Sequence, residues 1–179
     1  MHVVQTTTLL LSTTATVMPA HQTLFPRDVP TITRDPWECA TVNASQYFDV
    51  PKPTGTVLTA LLSYAEKLYE GCVPVADPSG NRDPACPFPD ASKWCAFTKT
   101  VAPAMTPAYW SYASSASSWW SAKSSDASSF QRRCPNTWYQ AMKDTPAGET
   151  WLNDTIIFSE CYESAYPATA LPSLSKTGA

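Results

Sequence analysis

Two pairs of glutamates have the spacing at which helical carboxylates share one face. Glu66 and Glu70 are four residues apart, and Glu160 and Glu163 are three apart. Glycosidases use two carboxyl groups about 5–10 Å apart across a cleft, which this spacing permits. Glu66 and Glu70 nevertheless fall on the polar face of a predicted helix, where solvated carboxylates are common. We therefore expect no catalytic residues, and a small secreted carboxylate-based hydrolase is the alternative function.

Histidine is nearly absent, which removes the usual nucleophilic and metal chemistry from consideration. His2 lies in a predicted leader, and His21 would begin the mature chain after cleavage. Ser-His-Asp and Cys-His centres need a histidine inside a packed site, and one imidazole is a poor copper site. Five glycines form no phosphate-binding loop, and no run of acids resembles a calcium loop. The sequence predicts neither a cofactor nor a metal site.

The charge distribution argues against a nucleic-acid partner. The formal net charge is −3, and Arg132-Arg133 is the only basic pair. Phosphate binding needs clustered lysine and arginine, which this chain lacks.

Six cysteines follow the leader, and none forms a C-x-x-C motif. An even set of this kind predicts three disulfides, with 15 pairings open, rather than six free thiols. The cysteines are Cys39, Cys72, Cys86, Cys95, Cys134 and Cys161.

The N-terminus indicates export. Residues 1–20 contain a charge-free, threonine-diluted apolar run that ends at Ala20 and is too short to span a membrane. We interpret it as a signal peptide; a cytosolic tail is the alternative. Two N-glycosylation sequons, at Asn43 and Asn153, agree with a secreted protein. After the leader we predict a flexible arm over 21–34, a folded domain over 35–166 and a disordered tail over 167–179.

Apolar residues at helical spacing predict two long helices. After Pro53, one face combines Leu58, Leu61, Leu62, Ala65, Leu68, Tyr69 and Cys72, and Gly71 supplies a left-handed stop. Thr106-Pro107 starts the second helix, whose stripe is Tyr109, Tyr112, Ala113, Ala116, Trp119, Trp120, Lys123, Ala127 and Phe130. The serines between these residues point away from the stripe, so this segment is a packed helix and not a linker.

Three shorter helices are predicted near residues 35–39, 90–101 and 149–162. No segment alternates at the period of a strand. The fold class is therefore all-α, a small helical bundle stapled by three disulfides.

The aromatic surplus is the remaining functional signal. Exposed tryptophan and tyrosine rings stack on sugar rings and anchor interfaces. The predicted ligand contacts are Trp110, Trp138 and Tyr139, and Tyr166 is a further candidate. The other tryptophans neighbour a cysteine or lie on an apolar stripe, so we expect them in the core: Trp37, Trp94, Trp119, Trp120 and Trp151.

Four segments together resemble a family of uncharacterised secreted fungal proteins, the infection-structure-specific proteins. They are "YFDVPKPTGTVLTALLSYAEKLYEGC" (47–72), "KWCAF" (93–97), "YASSASSWWSA" (112–122) and "CPNTW" (134–138). The resemblance implies export, a cysteine-stapled domain and expression at a host or wall surface, and it brings no catalytic residues.

The leading hypothesis is a secreted, non-enzymatic binding domain, effector-like or associated with the cell wall. Its expected partner is a host or cell-wall glycan or protein. Besides the hydrolase, the alternative is a structural cell-wall protein with no discrete ligand. The ligand and the oligomeric state are not determined by the sequence.

Overall fold

The structure is a computed structural model that describes residues 24–25, 30, 34–72, 86 and 88–167. The predicted leader, most of the arm and nearly all of the tail lie outside these residues. The described part contains five α-helices and no strand, which confirms the all-α prediction: α1 is Gly55–Leu68, α2 Ala91–Cys95, α3 Thr106–Arg133, α4 Pro135–Asp144 and α5 Gly148–Ala165. Short 3-10 helices lie at Trp37–Thr41, Ala44–Tyr47, Ala96–Lys99 and Pro103–Met105.

The serine-rich segment is a single 28-residue helix, α3, as its spacing predicts. Its buried residues are Tyr109, Tyr112, Ala113, Ala116, Ala127 and Phe130. Trp119 and Trp120 are partly buried at the middle of the stripe and stack with ring centroids 6.3 Å apart. The apolar stripe therefore packs inward, and tertiary contacts compensate for the weak helix propensity of serine.

Helices α3 and α5 pack along each other and carry two core clusters. The first cluster joins the C-terminal half of α3 and the start of α5 to α4 and the N-terminal segment, including Phe130, Trp138 and Leu152. The second joins the N-terminal half of α3 and the middle of α5 to α1 and α2, including Tyr109, Trp94 and Phe158. Because both clusters share α3 and α5, these two helices form the centre of the bundle.

The face of α1 that packs inward overlaps most of the predicted stripe, since Leu61, Ala65, Leu68 and Tyr69 contact the second core cluster, but it is rotated towards Val57. Val57 and Leu61 are buried, whereas Leu62 is 53% exposed. Tyr64 explains the rotation, because its hydroxyl donates to the Lys93 carbonyl at 2.6 Å and its ring packs on Phe97. Gly71 does adopt the predicted left-handed backbone, with φ of 73°, just beyond the end of the helix.

All six cysteines pair, as predicted, and the structure decides which pairs form. Cys39–Cys134 joins the first 3-10 helix to the α3–α4 junction, and Cys95–Cys161 joins α2 to α5. Cys72–Cys86 closes the segment after α1, most of which lies outside the described residues.

The burial of two residues in the N-terminal half, Leu24 and Trp37, differs from the sequence prediction. Leu24, placed in the flexible arm by the sequence, is fully buried in the first core cluster. Trp37, expected in the core because it neighbours Cys39, is 74% exposed. Both residues lie on the 3-10 helix Trp37–Thr41, where the Cys39 side chain is buried and the Trp37 side chain, two residues earlier, is exposed.

Candidate functional site

Trp138 is a core residue and not the surface ligand contact predicted for it. It is 0% exposed, and its indole N–H donates to the Leu24 carbonyl at 2.8 Å. Phe48 packs on its ring, with centroids 4.8 Å apart. Sequence reasoning missed this because α4, the helix that buries Trp138, was not predicted.

Tyr139 and Trp110, the other two predicted ligand contacts, lie in different parts of the bundle. Tyr139 is partly buried on α4 beside the first core cluster, with Lys143 Nζ 5.7 Å from its ring centroid. Trp110 is partly buried at the start of α3 beside the second cluster. The structure therefore does not bring the three predicted aromatic side chains together.

Trp110 instead forms an aromatic patch with the end of α5. The aromatic patch consists of Trp110, Tyr162 and Tyr166. The ring centroid of Trp110 lies 5.3 Å from that of Tyr166 and 6.3 Å from that of Tyr162, and both pairs are T-shaped. The centroids of the two tyrosine rings are 4.9 Å apart. Tyr166 is 52% exposed, so the patch combines fixed ring geometry with access from solvent. Tyr162 was missed, although its four-residue spacing from Phe158 and Tyr166 was a signal for a shared helix face.

The glutamate pairs lie on the outside of the bundle. Glu66, Glu70, Glu160 and Glu163 are all exposed. The Glu163 carboxylate accepts hydrogen bonds from Ser117 Oγ on α3 and from Ser159 Oγ on α5, both at 3.2 Å. The hydrogen bonds of Glu163 therefore link α5 to α3.

The second sequon falls in the most buried stretch of α5. Asn153 is 8% and Thr155 0% exposed, and Asn153 Oδ1 and Asp154 Oδ1 are buried without a hydrogen-bond partner among the described residues. Burial raises the pKa of Asp154 to about 7 from an ordinary value of 3.8. Burial, followed by the nearby Asp154 charge, also raises the pKa values of Tyr69 and Tyr112. The charge of this carboxyl therefore acts on two tyrosines, one just after α1 and one on α3.

The surface of the described residues includes the following two open clefts. One, which we call the α4 groove, has a volume of about 640 Å³ and lies between residues 42–45 and the outer face of α4. The other has a volume of about 440 Å³ and lies between residues 51–57 and the start of α3. None of the four glutamates lines either cleft.

Asp35 fixes α4 beside its groove. Its carboxylate accepts backbone N–H bonds from Asn136 at 3.1 Å and Thr137 at 2.7 Å, and side-chain bonds from the same two residues. Partial burial raises the pKa of Asp35, but these bonds, led by the Thr137 hydroxyl, outweigh burial and leave the pKa below 3.8. The carboxylate therefore serves as the N-terminal cap of α4.

Two further features of the described residues concern metals and membranes. No group of three His, Cys, Asp or Glu side chains there is arranged to hold a metal ion. None of the helices in this part of the chain has both the length and the apolar character needed to cross a bilayer. The three disulfides are typical of proteins that fold in an oxidising compartment.

Comparison with known families gives a match that covers most of the chain. Residues 24–171 match the model of a domain of unknown function, DUF7735. The chain belongs to the DUF7735 family. No curated protein matches it, and no solved structure matches it either. The DUF7735 match includes all five α-helices and all six cysteines, and it begins at Leu24, the residue whose carbonyl accepts the Trp138 hydrogen bond.

Proposed function

We propose that this DUF7735 protein is an exported fungal protein whose folded domain binds a host or cell-wall glycan without catalysing a reaction. Export is supported by the charge-free leader and by the three disulfides. Fungal origin and a wall or host setting are supported by the resemblance of the segments at 47–72 and 112–122.

The aromatic patch is the observation that carries the binding proposal. Trp110 packs edge to face against Tyr162 and Tyr166. Because these rings are already ordered by one another, the protein would lose little side-chain entropy when a ligand binds to them. Each ring offers an apolar face and a polar tip, and a sugar likewise has C–H faces and hydroxyl edges. The aromatic patch can therefore contact both the C–H faces and the hydroxyls of a glycan, whereas a purely aliphatic surface could contact only the C–H faces.

The non-enzymatic part of the proposal is supported by where the glutamates lie. All four are on the exposed surface, and the Glu163 carboxylate already accepts two serine hydroxyls. A hydrolase of the two-carboxylate type would place its acids in a cleft around the scissile bond.

Binding of purified fungal-wall and plant-wall polysaccharides on a glycan array tests the proposal. Tyr166→Ala and Trp110→Ala should each weaken binding by roughly tenfold or more, the size expected for aromatic hot-spot residues. Trp37→Ala is the matched control, because Trp37 is 74% exposed and lies on the 3-10 helix whose Cys39 belongs to the other core cluster, and it should retain binding.

Two results would contradict this proposal. One is the absence of binding to any glycan by the folded, disulfide-bonded protein, which would favour the structural wall protein. The other is turnover of a polysaccharide that Glu66→Gln or Glu160→Gln abolishes, which would favour the hydrolase.

A further inference from the structure

The two sequons occupy opposite environments in the fold. Asn43 is exposed and precedes the 3-10 helix Ala44–Tyr47. Asn153 is buried within α5, and the hydroxyl of its sequon, on Thr155, is fully buried. Because an N-linked glycan is bulky and must project from the surface, a glycan on Asn153 is incompatible with this packing. Only Asn43 is presented as an acceptor.

The local turn at Asn43 engages one side of its amide. The Ser45 backbone N–H and the Ser45 hydroxyl both donate to Asn43 Oδ1, at 3.2 Å and 2.6 Å. These bonds orient the side chain through its oxygen, so the turn does not use Nδ2, the atom that would carry a sugar. The serine of the sequon thus contacts the acceptor amide directly in the folded chain.

Asn43 also lies on the wall of the α4 groove. The volume of about 640 Å³ falls within the roughly 300–1,000 Å³ typical of sites for small molecules. The lining combines amides, hydroxyls and the Asp144 carboxylate, which can hydrogen-bond to sugar hydroxyls, with small apolar side chains for the C–H face of a ring. It includes Val42, Ala44, Thr137, Gln140, Ala141 and Thr145. The Thr137 and Thr145 hydroxyls and the Gln140 amide already donate within the protein, to Asp35, the Ala141 carbonyl and Asp144, so the hydroxyl oxygens would act as acceptors for a sugar.

We propose that Asn43 carries an N-linked glycan whose first sugars lie in the α4 groove. The inference rests on export, which is part of the proposed function. A sugar attached to a residue of the groove wall is held there at high effective concentration, so even weak contacts with α4 are enough to seat it.

The modification is a glycosyl transfer that takes place during export. Asn43 Nδ2 attacks C1 of the reducing sugar of a lipid-diphosphate-linked oligosaccharide. A C–N bond forms, and the C–O bond to the diphosphate breaks. The lipid diphosphate leaves with the bonding electron pair, and one amide proton passes to a base of the transferase.

Intact mass of the full chain, secreted with its own leader from a fungal host, tests the attachment site. The wild type, Ser45→Thr and Thr155→Val should carry a glycan, whereas Asn43→Gln and Ser45→Ala should lose it completely. Thr155→Val is the control for the second sequon, because it removes the sequon hydroxyl while keeping the size of a fully buried side chain. A secreted wild type without glycan, or a glycan that survives Asn43→Gln, overturns the inference.

Hydrogen exchange of α4, residues Pro135–Asp144, tests the seat of the glycan. The glycosylated wild type should exchange more slowly there than the unglycosylated wild type from a bacterial periplasm, which retains the Asn43–Ser45 contacts. Its Tm should be about 2–4 °C higher, the shift for roughly 1 kcal/mol in a domain of this size.

A relocated glycan is the matched control for this exchange measurement. Thr98→Asn creates a sequon with Lys99 and Thr100, which line neither cleft. Combined with Asn43→Gln it should leave α4 unprotected. Equal exchange of α4 in the two wild-type samples, or equal protection by the relocated glycan, overturns the seating in the groove.

Failure of export can be told apart from failure of this inference. If the native leader does not deliver the chain to the medium, the export proposal is wrong. The same mass and exchange measurements on the chain behind a heterologous leader then decide the glycan at Asn43 by the outcomes given above.

Discussion

A partly buried carboxyl group near two tyrosines makes the stability of the fold depend on pH. Asp154 Oδ1 has no hydrogen-bond partner in the described part of the chain, and burial, followed by the charge of this side chain, raises the pKa values of Tyr69 and Tyr112. Burial raises the pKa of Asp154 to about 7, so the folded chain keeps this proton over a range in which the unfolded chain loses it. The free energy of unfolding therefore falls as pH rises from about 4 to about 7 and levels off above that.

We expect Asp154→Asn to remove this pH dependence. The raised pKa corresponds to roughly 4 kcal/mol at most, so the variant should gain stability of that order at pH 8 and little at pH 4. Urea denaturation of wild type and variant across pH 4–8 measures the difference, and the acid-range effect of the hydrogen-bonded Asp35 cancels in it. Asp49→Asn, at an exposed aspartate, should keep the wild-type profile. Parallel curves for wild type and Asp154→Asn would contradict the assignment.

The start of α5 contains a strained backbone position at the scale of one element. Ala147 has φ of 54°, the left-handed region that L-residues avoid, and the next residue is Gly148. A Cβ on Gly148 would lie 2.8 Å from Thr145 Cβ and 3.1 Å from the Met142 carbonyl. At position 147 the chain has alanine where glycine would be free of backbone strain. At position 148 it has glycine where the Cβ of alanine does not fit.

Substitutions at these two neighbouring positions should have opposite effects. Ala147→Gly relieves a left-handed penalty of roughly 1–2 kcal/mol against a glycine entropy cost of roughly 0.5–1 kcal/mol, a net gain of up to about 1.5 kcal/mol. Gly148→Ala should lose roughly 1–3 kcal/mol through overpacking against Thr145. Thermal melts of the two variants provide the test. A lower Tm for Ala147→Gly would show that the tight turn needs alanine.

At the scale of the whole molecule, two disulfides connect distant parts of the sequence through the core. Cys39–Cys134 spans 95 residues and Cys95–Cys161 spans 66, whereas Cys72–Cys86 spans 14. Cys39, Cys134 and Cys161 are almost fully buried. The two long bridges therefore join the N-terminal segment and α2 to the α3–α5 centre.

Removal of the Cys39–Cys134 bridge should cost more stability than removal of Cys72–Cys86. Chain entropy alone gives about 4.7 kcal/mol for a loop of about 100 residues against about 3 for one of about 15. The buried position of the long bridge adds a cavity penalty when both cysteines become alanine. Urea denaturation of the two double-alanine variants compares them directly. An equal or larger loss in the Cys72→Ala/Cys86→Ala variant would contradict this ranking.

Much of this architecture could be predicted from local patterns in the sequence. The period of α3 is visible from Tyr109 to Phe130 because its apolar residues are separated by small polar ones, so only one face can be buried. Gly71 could be assigned a left-handed stop because glycine pays no Cβ penalty there. The even cysteine count predicted complete pairing, since nothing in the spacing favoured a metal or redox site.

The tertiary structure alone decided which of two equivalent local choices was taken. On α1, Val57 and Leu61 are buried while Leu62 is exposed, and Tyr64 fixes this orientation by reaching the Lys93 carbonyl. Trp37 and Trp138 are each near a cysteine in sequence, yet one is exposed and the other fully buried. The partners of the cysteines and the burial of Asn153 were likewise set by contacts between distant segments. Residue spacing specifies what a helix can bury, but which surface covers it depends on contacts that no local pattern contains.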